Sequence, residues 1–274
     1  MPTYAEIDWN RIWRESRQRR TCKAKGSSDW DRKAAAFARR NRDSSYIEHL
    51  LALINPEPEA SVLDVGAGPG TLAIPLARRV RRVTALDFSA RMLEELTARA
   101  TVAEVSNITT VRGAWEDDWT ALGLAPHDIA VASRSLAVDD LEAALVKLNN
   151  FARRRVYLTD RVGAGPFDPE VFAAVGRPFE PGPDYIITLN LLYRLGIHAR
   201  VDFIPAAYSA SYPSREEAVD SLIWMLEELQ PGEGERFEAY LAERLRRQAD
   251  NTWVVIRRHR PLWAVLWWDK EDDQ

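Results

Sequence analysis

Apolar positions between residues 59 and 160 follow two alternating rhythms. Short, nearly continuous apolar or β-branched runs stand at Ser61–Val65, Val83–Leu86, Ile108–Val111, Ile129–Ala132 and Arg155–Thr159. Runs of that length are what strands buried on both faces look like. Between them the apolar pattern continues at helical spacing, as an amphipathic helix requires. Leu72, Ile74, Leu76 and Val80 form the first such stripe, and Met92, Leu93 and Leu96 the second, after an N-cap at Ser89. The third, Leu141, Ala144, Leu145 and Leu148, begins at Asp139 or Asp140 as the cap. Strand and helix in strict alternation predict an α/β fold, a doubly wound and mostly parallel sheet covered on both faces.

The pattern differs on either side. Ile7, Trp9, Ile12 and Trp13 make one apolar face, and the basic run Arg14 to Lys25 reads as a solvated helix face. After the Gly26-Ser27-Ser28 break, Asp29 reads as the N-cap of a helix from Trp30. Another helix, near Ser44 to Ile54, carries Tyr46, Ile47, Leu50, Leu51 and Ile54 inward and stops before Pro56 and Pro58. Beyond Asp160, GAGPFDPE and RPFEPGPD read as loops. Tyr185 to Leu195 is helical with Gly196 as its stop, and His198–Ile204 is a strand. Helices follow at Ser214–Leu229 and Glu235–Gln248, and Trp253–Ile256 with Leu262–Trp268 is expected to form a hairpin. The expected division is an N-terminal helical extension (1–58), an α/β core (59–204), a helical insertion (205–250) and a C-terminal hairpin completing the sheet (251–274).

Composition narrows the class. The 274 residues are 46 % apolar and 28 % charged, which suits an ordinary globular protein with a sizeable core. No run has the length of a transmembrane helix, no secretory leader is evident, and the single cysteine, Cys22, leaves no internal disulfide framework. These features point to a cytoplasmic setting without a membrane partner. Residues 1–45 hold 12 Lys/Arg against 6 Asp/Glu, so the rest of the chain must be acidic to reach the net charge of −4. A basic arm can be a nucleic-acid footprint, but an acidic body behind it disfavours that partner.

The stretch SVLDVGAGPGTLAIPL, residues 61–76, carries the candidate chemistry. It reads as buried strand, glycine turn and helix start, the opening of a βαβ unit. Side chains at Gly66, Gly68 and Gly70 would hold a ligand away from the backbone. Dinucleotide loops run G-x-G-x-x-G; here Thr71 stands where that third glycine would be. No Gly-Lys-Ser/Thr follows, which excludes a P-loop. Asp64, at the strand tip, would repel a phosphate and suit an ammonium group. Asp87, at the end of the second strand, stands where βαβ nucleoside sites place an acid for ribose hydroxyls. An ammonium acid, a ribose acid and glycines between them describe S-adenosylmethionine (SAM) better than NAD, with another nucleoside ligand as the alternative.

These residues resemble the class I SAM-dependent methyltransferases, whose cofactor loop is E/D-x-G-x-G-x-G. The likeness extends through VTALDFSARMLEEL (83–96) and GAWEDDW (113–119). It implies a seven-stranded sheet and methyl transfer from SAM, leaving S-adenosylhomocysteine. The implied cofactor contacts are Asp64, Gly66, Ala67, Gly68, Gly70, Thr71, Asp87, Phe88, Met92, Ala114, Trp115, Glu116 and Ser133, with Asp117 close behind Glu116. Arg134, Tyr46 and Tyr208 are substrate candidates. The residues Asn/Asp-Pro-Pro-Tyr/Phe, frequent after strand four in nucleobase amino methyltransferases, are replaced here by Ser133-Arg134-Ser135-Leu136. The favoured acceptor is a small molecule. The alternatives are an RNA or protein substrate engaged by the basic arm, or a SAM-binding module without catalysis. Gly68→Val is expected to block the cofactor, and Asp87→Ala to weaken its binding severely while leaving the melting temperature of the cofactor-free protein nearly unchanged.

Other chemistry finds no support. His49, His127, His198 and His259 are scattered without metal-ligand spacing, and no serine stands in a nucleophile elbow. Most of the ten tryptophans are expected in packing roles.

Overall fold

The computed structural model describes residues 4–22, 26, 28–31, 34, 45–205 and 211–270. In chain order the strands are β1 (Ser61–Val65), β2 (Arg82–Asp87), β3 (Ile108–Arg112), β4 (His127–Ser133) and β5 (Ala152–Arg161), then β6 (Arg200–Pro205), β7 (Leu245–Arg247), β8 (Trp253–Val255) and β9 (Leu262–Asp269). Seven of them form one sheet in the order β3-β2-β1-β4-β5-β9-β6. All neighbours are parallel except β9, which runs antiparallel to both β5 and β6. The expected mostly parallel, seven-stranded α/β sheet is therefore present.

Alternation within each strand sorts its side chains into two apolar layers. Val62, Val83, Val131 and Tyr157 face a layer closed by the helices Ser45–Ile54, Ala73–Ala77 and Ala90–Val102. Leu63, Leu86, Ala130 and Leu158 face the other, closed by Trp9–Arg19, Leu141–Asn150 and Tyr185–Arg194. Helix ends follow the local chemistry. Ser89 accepts the Met92 amide at 3.1 Å, and Asp140, rather than Asp139, accepts the Ala143 amide at 2.9 Å. After Leu195 the amides of Gly196 and Ile197 donate back to Tyr193 and Leu192, with Gly196 at φ +77°. That reversed turn needs a left-handed residue, which glycine supplies without strain.

A third apolar cluster lies apart from both layers. Val171, Phe172 and Val175 pack there with Leu222, Phe237, Leu241 and Val255. The insertion thus has a core of its own, and it draws in the helix Pro169–Val175 from the stretch placed with the α/β core. Arg177 grips Glu233 with two short bonds (2.8 and 2.6 Å) and also donates to the Leu226 and Glu228 carbonyls, holding the Glu233 carboxyl down at about 2.

Four expectations are corrected here. The final hairpin does not form: β8 pairs with β7, Leu245 opposite Val255 and Arg247 opposite Trp253. Both edges of β9 are taken, Val156 pairing with Trp268 on one side and Ile204 with Trp263 on the other, so no edge remains for β8. The helix expected over Glu235–Gln248 spans Glu233–Arg244, because Leu245 turns to extended backbone (ψ 135°) and opens β7. The one expected from Ser214 to Leu229 is Arg215–Ile223. Helical backbone is already present at residue 28, so Asp29 lies inside the turn and accepts the Gly26 amide. Most of the segment from Trp30 to Ser44 lies outside the described residues, as does Tyr208.

Candidate functional site

β1 and β4 are neighbours whose chains depart in opposite directions, toward β2 and toward β5. A sheet opens a crevice at such a switch point, beyond the carboxyl ends of its strands. Most of the candidate residues gather at this edge.

The glycine bend is shaped by the strands on either side. The Gly66 and Ala67 amides both donate to the Leu86 carbonyl, at 2.7 and 3.1 Å. The Gly68 amide donates to Asp87 Oδ2 at 2.8 Å. Gly66, Gly68 and Gly70 have φ of +71°, +55° and +77°. A Cβ on Gly66 would stand 2.3 Å from that of Ser135, and one on Gly70 2.8 Å from Leu96, while at Gly68 nothing lies within 4 Å. Two of the glycines thus face protein and the middle one faces open space. Arg99 braces the bend by donating to the Pro69 carbonyl at 2.7 Å. Thr71 keeps a buried hydroxyl without a protein partner.

Asp64 is 1 % exposed, and its buried Oδ2 has no hydrogen-bond partner. Burial, with the charge of Asp87 adding to it, pushes this carboxyl up to about 7. An orphaned carboxylate oxygen beside an open glycine bend matches what a ligand ammonium requires. Asp87 is 5 % exposed and also raised by burial, against which the Ser89 and Gly68 amides work. Its two oxygens accept those amides at 2.9 and 2.8 Å. Each retains a second lone pair for a hydroxyl donor. The expectation that Asp87→Ala would leave the melting temperature nearly unchanged does not hold against this geometry: the change strips the partner from two amides that shape the bend, at about 1–3 kcal/mol for each buried one.

In the loop after β3, Asp117 Oδ2 accepts the Ala114 amide at 2.8 Å, so that amide is not available to a ligand ring. Lys147 donates to the Trp115 and Asp117 carbonyls, and the Trp115 indole donates to the Ser135 carbonyl. Asp117 is thereby an internal brace although exposed, and Glu116 is an exposed acid of the loop beside it. Phe88 is half-buried and Met92 buried, on the turn and helix after β2.

On the β4–β5 side, Tyr46 reaches over from its helix. Its buried hydroxyl meets Ser133 Oγ at 2.8 Å and donates to Thr159 Oγ1 at 2.8 Å, while the Arg134 amide donates to the same Thr159 oxygen. Arg134 takes the left-handed conformation (φ +57°), which is strained for a side-chain-bearing residue. Its guanidinium lies 4.3 Å from the Tyr46 ring centre and 5.7 Å from that of Trp263. Ser135 turns back to donate to the Val65 carbonyl at 2.6 Å. Ser133, Arg134 and Tyr46 are thus brought together. Thr159, Ser135 and Trp263 join them although the sequence reading gave them no role there; a polar residue at the carboxyl end of a buried strand was the available signal for Thr159.

Among the described residues no group of three or more His, Cys, Asp or Glu is placed to hold a metal ion, and no helix is long and apolar enough to cross a membrane.

Comparison with known proteins agrees with this arrangement. Residues 62–154, which include the bend and both acids, match the family model described as Methyltransferase domain. The chain is 36 % identical over 243 residues to an uncharacterized protein of Haemophilus influenzae, covering 88 % of each. It is 31 % identical to the ribosomal RNA small subunit methyltransferase A of Dichelobacter nodosus, but over only 24 % of this chain and 26 % of that one. A solved Bacillus halodurans protein assigned as a candidate methyltransferase superposes with a TM-score of 0.53 at 12 % identity, covering 82 % of this chain and 99 % of that one, a likeness of fold. With a methyltransferase-domain match laid across the carboxylate-flanked glycine bend, on a sheet of this strand order, residues 62–154 are a methyltransferase domain with the fold of the class I SAM-dependent enzymes.

Proposed function

We propose that the protein methylates a small molecule. The supporting observation is the roof over the acceptor side: Tyr46 closes onto Ser133 and Thr159 through a buried hydroxyl chain, with Arg134 and Trp263 beside it. A crevice end covered so close to the sheet edge suits a compact acceptor better than a polymer.

In this reading Asp64 holds the cofactor ammonium, and the bend from Gly66 through Ala67, Gly68 and Gly70 to Thr71 carries its amino-acid end. Asp87 takes the ribose diol with the lone pairs left over from the Gly68 and Ser89 amides. Phe88 and Met92 flank the adenine, the Trp115 amide serves a ring nitrogen, and Glu116 receives the exocyclic amine. When bound, SAM supplies a methyl group already activated by its sulfonium. The work left to the chain is alignment, which can lower a barrier by several kcal/mol. Ser133 and Tyr46 fix the acceptor side of that alignment, and Arg134 is the nearby cation for an anionic group of the acceptor.

The test is formation of S-adenosylhomocysteine from SAM in the presence of fractionated cell extract. Turnover is expected with the low-molecular-weight fraction. Turnover confined to the RNA or protein fraction, or none with any fraction, contradicts the proposal.

A further inference from the structure

The basic run that begins in the helix Trp9–Arg19 is not a solvated face throughout. Arg20 is only 7 % exposed, and the Arg17 side chain only 10 %. Arg17 stands in the last turn of the helix Trp9–Arg19, and Arg20 caps its end with extended backbone (ψ 141°). Residues 180–182 bring a third arginine to them. Thr21 and Glu180 exchange two hydrogen bonds (3.0 and 2.8 Å), the Arg161 guanidinium donates to the Pro181 carbonyl at 2.7 Å, and the Arg20 stem lies against Gly182. A Cβ on Gly182 would stand 2.8 Å from that of Arg20.

We infer that Arg17, Arg20 and Arg161 form the seat for an oxyanion of the methyl acceptor, a phosphate or a carboxylate. The inference rests on the small-molecule methyltransferase reading above.

Three buried guanidinium nitrogens, Arg17 Nε, Arg17 Nη1 and Arg20 Nε, have no hydrogen-bond partner. Asp139 reaches Arg17 Nη2 from an exposed position, and the Ala137 carbonyl accepts from the same nitrogen. Asp160 neighbours Arg161, yet its oxygens accept from Thr188 and from the Arg161 amide. Asp184 is engaged by the amides of Gly163 and Ile186, and Cys22 also faces the cluster. Among the described residues no carboxylate lies within ion-pair distance of Arg20 or Arg161. Burial first, then the charges of Arg17 and Arg161, lower Arg20 to about 10. A fold that buries like charges side by side with donors unspent meets a standing cost, which a bound anion reverses. Planar guanidiniums present paired N–H groups that match phosphate and carboxylate oxygens.

The seat's position fits the acceptor. Arg17 is tied to the loop after β4 through Ala137, and Arg161 ends β5 two residues beyond Thr159. Both lie on the β4–β5 side of the crevice, away from the ribose acid at the end of β2. Because Arg17 and Arg20 are turned inward, they are withdrawn from any nucleic-acid surface on the basic arm.

The test measures the melting temperature of the full chain with inorganic phosphate, or separately with citrate, against sodium chloride at equal ionic strength. S-adenosylhomocysteine affinity is measured in parallel by calorimetry. Either anion at millimolar concentration is expected to raise the wild-type melting temperature by several degrees, and the one that does so identifies the oxyanion. Arg20→Met, which keeps the stem on Gly182, is expected to lose most of that shift and keep the S-adenosylhomocysteine affinity. Arg161→Gln, which retains a donor for Pro181, is the second variant if Arg20→Met fails to fold. Equal shifts in wild type and variant, or no shift in a wild type that binds S-adenosylhomocysteine, overturn the seat. A wild type that binds no S-adenosylhomocysteine removes the methyltransferase reading instead.

Discussion

Gly68→Val is expected to abolish S-adenosylhomocysteine binding while the protein still folds, whereas Gly66→Ala is expected to lose the fold around the bend. The two glycines differ by two positions in sequence, and both lie at positive φ. What separates them is the surrounding space. A methyl group on Gly66 would meet the Ser135 side chain at 2.3 Å, and Ser135 is anchored to the Val65 carbonyl, so it cannot give way cheaply. A Cβ on Gly68 would meet no atom beyond its chain neighbours within 4 Å, so valine there meets chiefly backbone strain. That strain is about 1–3 kcal/mol, less than the roughly 5–15 kcal/mol by which domains are stable. Thermal melts and calorimetry on both variants check the contrast. A Gly68→Val protein that binds the ligand normally would place the cofactor elsewhere.

S-adenosylhomocysteine affinity is expected to fall about tenfold for each pH unit below 7. The cause is Asp64, whose carboxyl is lifted from 3.8 to about 7 by burial and by Asp87. In the free protein this group holds its proton between these two values, so its contribution to stability is lost as pH rises through that window. The ligand's ammonium favours the carboxylate, so binding on the acid side of 7 must expel the proton. At pH 6 close to one proton should be released per ligand bound, measurable by calorimetry in buffers of different ionisation enthalpy. Asp64→Asn should bind weakly and without this slope. A flat profile in the wild-type protein would remove Asp64 from the ammonium.

How much of this was legible in the sequence follows the range of the interactions. Ser61–Val65, the caps at Ser89 and Asp140 and the Gly196 turn are set by residues within a few positions, and each is found where its local pattern puts it. β8 was misplaced because its pairing depends on which strand edges remain open after β9 enters between β5 and β6. Arg20 reads as a solvated cation until Gly182, far along the chain, turns up beneath its stem. Within the site, Asp64 and the glycines announce themselves by spacing. Two features could not be read that way: Asp87 also holds the Gly68 amide, and Thr159 links Tyr46 to Arg134. Both are consequences of register between strands that only the assembled sheet supplies.

A crystal structure of the protein with S-adenosylhomocysteine tests the account most directly. The ligand should lie across the open face of Gly68, its ammonium against the orphaned oxygen of Asp64 and its ribose hydroxyls on Asp87. Density for the ligand away from this crevice, or in it with the ribose turned from Asp87 and the ammonium from Asp64, would contradict the central claim.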